Sequence, residues 1–95
     1  MPDIIRSAEF ELLARLRHST ALRALGCNAV RGLSGTICLS MPTSAVGAWW
    51  YEAGAYRFAP VARQAPVCVV TSAAEAVEKT VGMALSRVEH PRASH

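Results

Sequence analysis

Eight residues constrain this chain more than any others: Gly47-Ala48-Trp49-Trp50-Tyr51-Glu52-Ala53-Gly54. They hold both tryptophans and one of the two tyrosines, with a glycine at each end and one carboxylate among the rings. In an extended conformation alternate side chains leave opposite faces, so Trp49 and Tyr51 share one face and Trp50 and Glu52 the other. Both faces then carry something large, which suits an arm touched on two sides. Two readings follow. The segment is a projecting two-stranded arm whose rings meet a partner, or the rings fill a small core of their own.

The flanking segments carry clear helical patterns. Ser72-Ala73-Ala74-Glu75 is a capping box, with a serine to accept from an exposed amide and a glutamate to reach back. Val77, Val81, Ala84, Leu85 and Val88 follow as one apolar stripe, and Glu75 and Lys79 stand one turn apart on another face. Pro91 closes the segment, predicting a helix over 72–89. Upstream, Phe10, Leu13 and Leu16 recur at helical spacing with Leu12 beside them. Ser7 is a candidate cap, Glu9 and Glu11 suit an early turn, and Arg15, Arg17, His18 and Arg23 suit a late one. Gly26 is the expected stop. The spacing predicts a helix over 7–25, with a break near Ser19-Thr20.

Between the helices, 27–35 reads as an irregular connection rich in glycine. Thr36 to Ser40 reads as a short strand and Pro42-Thr43-Ser44 as a turn. Residues 54–66, with Tyr56, Arg57, Phe58, Pro60, Arg63 and Pro66, read as a loop followed by an edge strand. Val67 to Thr71 gives the strongest strand signal. The expected class is α+β: an N-terminal arm helix (1–26), a glycine-rich connection with an extended β-hairpin loop (27–66), and a short strand with a long helix (67–90). A frayed tail (91–95) follows.

The chemistry of the chain points away from catalysis. Its seven acids form no facing pair with a general acid–base geometry, and no nucleophile motif or His-Glu-x-x-His is present. Cys27, Cys38 and Cys68 have no metal-ligand spacing and read as small buried side chains in a reducing compartment. No cofactor and no small-molecule substrate is called for. Nine arginines and one lysine give a net charge of +3, but the arginines are scattered, which argues against direct nucleic-acid binding. The weakest alternative uses Arg15, Arg17 and Arg23 for that purpose. No apolar run is long enough to span a bilayer, and no signal-peptide pattern opens the chain, so neither secretion nor membrane attachment is expected. With 52% hydrophobic and 18% charged residues in 95, the chain has apolar surface to offer neighbours.

The order of these motifs resembles the major capsid proteins of tailed phages with the Hong Kong 97 fold. The resemblance rests on Leu25-Gly26, then Gly32-Leu33-Ser34-Gly35, then Thr36 to Leu39, then Pro42-Thr43, then Ala48-Trp49-Trp50-Tyr51-Glu52, followed by a strand and a long helix. It implies a structural, non-enzymatic subunit packing with copies of itself in a shell, with other capsid or scaffold components as further partners. It implies a virion or bacterial cytoplasmic location. Trp49, Trp50, Tyr51, Glu52 and Arg57 would contact a neighbouring subunit from the extended loop. Val77, Val81, Leu85 and Val88 would pack the spine helix. The family's later domains have no counterpart here, so the chain would be an N-terminal portion. The alternative is a small α+β interaction or regulatory module with a tryptophan-containing core.

Overall fold

A computed structural model describes residues 3–61 and 68–89. Two helices, α1 (Asp3–His18) and α2 (Thr20–Leu25), lead into five strands and a last helix. The strands are β1 (Asn28–Arg31), β2 (Ile37–Met41), β3 (Ser44–Glu52), β4 (Ala55–Pro60) and β5 (Cys68–Val70), and the helix is α3 (Ala73–Glu89). The strands form one antiparallel meander in the order β1-β2-β3-β4-β5. The helices pack on one face of this sheet, α1 against β1, β3 and α3. The class is α+β, as expected.

Several local rules hold. The first helical segment breaks at Ser19, whose backbone turns extended and whose hydroxyl accepts from the Leu22 amide at 3.2 Å. Gly26 stops α2 in the left-handed conformation, its amide donating back to the Arg23 carbonyl. Pro42-Thr43 joins β2 to β3. Ser72 caps α3, accepting from the Glu75 amide at 3.1 Å. Glu75 accepts from the Ser72 and Thr71 hydroxyls and is not paired with Lys79.

Other expectations are corrected. α1 begins at Asp3 rather than Ser7; Ile4 and Ile5 stay largely exposed, so no burial pattern marks the start. The supposedly irregular 27–35 contains β1, whose Ala29 is buried. β1 is held from a distance: Arg31 donates twice to one Glu9 oxygen, at 2.8 and 3.1 Å, and stacks over Phe10. Glu9 is therefore a buried anchor rather than a dipole charge, and Phe10 lies outside the core at 48% exposure. Residues 55–60 are an interior strand, not a loop, and the sheet's edges are β1 and β5. Val67, Arg63 and Pro66 lie outside the described residues, as does the tail.

The most consequential correction concerns the aromatic hairpin. It does not extend away from the body, because β3 is the middle strand of the sheet and β4 is paired on both sides. Trp49 is 0% exposed. Its indole N–H donates to the buried Thr80 hydroxyl at 2.9 Å, which in turn donates to the Ala76 carbonyl at 2.7 Å. Trp49 also meets Phe58 directly across the strands, ring centroids 5.1 Å apart.

That contact shifts the buried face of α3. Ala73, Ala76, Thr80 and Ala84 are buried, while Val77 and Val81 are half-buried and Leu85 is 42% exposed. Small side chains let α3 approach α1 and the sheet closely, and a hydroxyl is needed where the indole N–H arrives. The valine–leucine stripe flanks this seam rather than forming it. The side chain of Val88 lies outside the described residues.

Candidate functional site

Helices cover one face of the sheet, and the pleat sends every second residue to the other. The strand register identifies the open face row by row. One row is Val30, Cys38, Ala48 and Ala59; the next is Trp50, Arg57 and Val69. Val30 and Val69 are about half exposed, at 50% and 52%, and Cys38 is exposed. Trp50, Arg57, Ala48 and Ala59 are half-buried. Among the described residues no helix packs on this face.

Two of its polar side chains are bonded locally. The Trp50 indole N–H donates to the Glu52 carboxylate at 3.1 Å. Arg57 donates to the Glu52 backbone carbonyl at 3.3 Å, and its guanidinium stands 4.0 Å from the same carboxylate. The result is a mainly apolar surface with one self-neutralising ion pair. Such a surface can be desolvated without stranding a charge, which is what a protein contact requires.

The five residues read from the sequence as a contact site thus divide. Trp50, Glu52 and Arg57 cluster on the open face. Trp49 lies beneath, in the core. Tyr51 also turns to the helix side, edge-on to Tyr56 with centroids 4.9 Å apart. The open face adds Val30, Cys38 and Val69, which sequence reasoning did not single out. One signal could have found the pairing of Trp50 with Arg57. Ala53 and Gly54 both have positive φ, at 55° and 78°, as a two-residue hairpin turn demands. Counting outward from that turn pairs Trp50 with Arg57 and Trp49 with Phe58.

The expectation of buried cysteines fails for Cys38, since its position in β2 falls on the uncovered face. Burial raises the Cys27 thiol above its ordinary pKa. The arginines offered for nucleic acid are partly engaged: Arg15 pairs with Glu11 at 3.2 Å, and Arg17 donates to the Ala29 carbonyl at 3.2 Å.

A groove of about 520 Å³ opens at the other side of the sheet, between α1 and the start of α3, with Tyr51, Tyr56 and Glu11 in its wall. Its chemistry is structural. The Tyr56 hydroxyl donates to the Ala8 carbonyl at 2.8 Å, tying β4 to α1. Burial first, and the Glu11 charge second, push this phenol up to about 12. An unfolded chain ionises the tyrosine at roughly pH 10, so the folded state alone keeps the proton above that point. Stability is therefore undiminished by this group below pH 10 and falls as pH rises from about 10 to about 12. Tyr56→Phe is expected to cost about 1 kcal/mol at neutral pH and to flatten that alkaline decline. Urea titrations of both proteins at near-neutral and alkaline pH measure it; parallel pH profiles would contradict the assignment.

No protein-family model, curated protein or solved structure matches the chain. Among the described residues no group of acidic, histidine or cysteine side chains could hold a metal ion, and no helix is long and apolar enough to cross a membrane.

Proposed function

We propose that this chain is a small α+β protein-interaction module that recognises its partner with the open face of the sheet. The observation that carries the reading is the division of the two adjacent tryptophans. Trp49 belongs to the core, 0% exposed and bonded to Thr80, whereas Trp50 stands on a face that no described helix covers. A tryptophan beside an arginine and small residues is a common anchor of protein contacts. The capsid-subunit reading needs the same segment to reach outward as an arm. The β3–β4 pair instead sits inside the sheet, so the interaction-module alternative uses this geometry more directly.

The test is the size of the complex that the chain forms in extracts of cells producing it. Wild type is expected to elute well above its monomer mass of 10.2 kDa. A Trp50→Thr/Val69→Lys double variant, altered only on the open face, is expected to elute as a monomer. The reading is lost if wild type and variant both elute at monomer mass and the purified chain also stays monomeric at high concentration, or if both elute in the same larger complex.

A further inference from the structure

We infer that the occupant of the open sheet face is a second copy of this chain, docked sheet to sheet about a two-fold axis; the inference rests on the interaction-module reading. Three observations lead to a self-complementary contact.

The first is relief. The face consists of a bulky row (Trp50, Arg57, Val69) beside a row with alanines at its centre (Val30, Cys38, Ala48, Ala59). Consider a two-fold axis lying between two facing sheets, perpendicular to the strands, and passing between these rows. The rotation sets each bulky row on the partner's low row. Trp50 then falls over Ala48 of the other copy, and Arg57 over Ala59. The contact is isologous, with each tryptophan seated on the same small floor. Sheets stack about 10 Å apart, which leaves room for one layer of large side chains against small ones but not for two large layers.

The second is charge. The chain carries a net +3, yet the ion pair of this face, Arg57 with Glu52, is neutral as a unit. Among the described residues the same rotation brings no like charges together. Arg57 meets an uncharged row, and Glu52 meets the row of Asn28, Ser40 and Ala45, which offers amide and hydroxyl groups. A strongly acidic or basic partner would find no complementary field here.

The third is area. Five strands at ordinary spacing make a face about 24 Å wide and about 17 Å long, or roughly 600 Å² of accessible surface with its relief counted. Two copies would bury about 1,200 Å² in total, at the lower bound of specific interfaces. That predicts a weak, reversible dimer. Association through the free edge of β1 is the obvious competitor, but Arg17 from α1 already occupies the Ala29 carbonyl there.

Sedimentation equilibrium of the purified full chain tests the inference. A monomer–dimer equilibrium with micromolar dissociation is expected, at about the strength an interface of this size supports. Ala48→Arg, which fills the seat of the partner's Trp50, should weaken dimerisation at least about tenfold with an unchanged thermal melt. Should that variant melt early, Val69→Lys, on the edge strand, serves in its place and should weaken it less. Acrylamide should quench the Trp50 emission strongly in dilute solution and weakly in concentrated solution, while Trp49 stays protected throughout. A chain that remains monomeric to about 1 mM overturns the inference, as does a dimer indifferent to both substitutions or one in which Trp50 stays open to quencher. If the pure chain is a monomer but still enters a Trp50-dependent complex in extracts, self-docking fails and the interaction module stands. If neither is seen, both fail.

Discussion

Trp49→Ala is expected to destabilise the chain by about 4 kcal/mol, near the upper range for truncating a buried ring. The indole is completely enclosed, so its removal leaves a cavity between β3, β4 and α3. Phe58 loses its cross-strand partner, and Thr80 loses the donor that fixed its hydroxyl. Thr80 still donates to Ala76, so no buried donor is stranded and the loss is mainly packing. A domain of this size has only about 5–15 kcal/mol in all, so the variant should be partly unfolded at moderate temperature. Trp49→Phe keeps most of the volume and is expected to cost about 2 kcal/mol. Trp50→Thr, one residue away, should cost less than about 1 kcal/mol. Urea denaturation followed by far-UV circular dichroism measures all three. Equal midpoints for the Trp49 and Trp50 variants would mean that both rings are surface groups, as an arm requires.

Gly47→Ala is expected to be nearly as damaging, at about 3 kcal/mol or more. A Cβ built at Gly47 would lie 2.5 Å from the Ala59 carbonyl oxygen, 2.5 Å from the Phe58 ring and 2.8 Å from the Pro60 Cα. Two of these neighbours are backbone atoms of β4, and the sheet cannot yield locally without parting β3 from β4. The close approach has a cause in the register. Leu39 faces Gly47 but Ser40 faces Ala45, so Val46 is an extra residue, a bulge in the middle strand. The bulge turns Val46 into the core, where it is 2% exposed, and presses the next residue against β4. Gly54→Ala is the useful contrast. Its Cβ would meet nothing within 4 Å, so only the positive φ of 78° is strained, and a loss of about 1 kcal/mol is expected. The same denaturation series compares them; a Gly47→Ala midpoint equal to that of Gly54→Ala would remove the close-approach argument.

Much of the local architecture was legible in the residues themselves. The Ser72 cap, the Gly26 stop, the break at Ser19 and the turn at Pro42-Thr43 are decided within a few residues, and all four are present, although Glu75 reaches back to the Ser72 and Thr71 hydroxyls and not to the Ser72 amide. The division of Trp49 and Tyr51 from Trp50 and Glu52 also follows from the pleat alone, and it holds. What failed was anything set at long range. β1 has no apolar run of its own; it exists because Arg31 reaches Glu9, 22 residues away, and because β2 lies beside it. β4 is hidden by its tyrosine, arginine and terminal proline, which resemble a loop until the Ala53-Gly54 turn fixes their register. The α3 stripe holds in part: Ala84 is buried and Val77 and Val81 pack against the core, while Leu85 is exposed. The buried seam instead consists of alanines and Thr80, chosen by the closeness of α1 and the arrival of the Trp49 indole.

The same contrast separates the two candidate-site residues that stand next to each other in the chain. Alternation, caps and turns belong to the sequence, since each is decided by neighbours within about one turn or one hairpin. They determine that the two tryptophans face opposite ways. They do not determine which of the two is covered. That choice came from tertiary structure alone, through a hydrogen bond between residues 31 positions apart and a helix that could be laid on only one side of the sheet. Trp49 became core because α3 arrived over it, and Trp50 became surface because no described helix did.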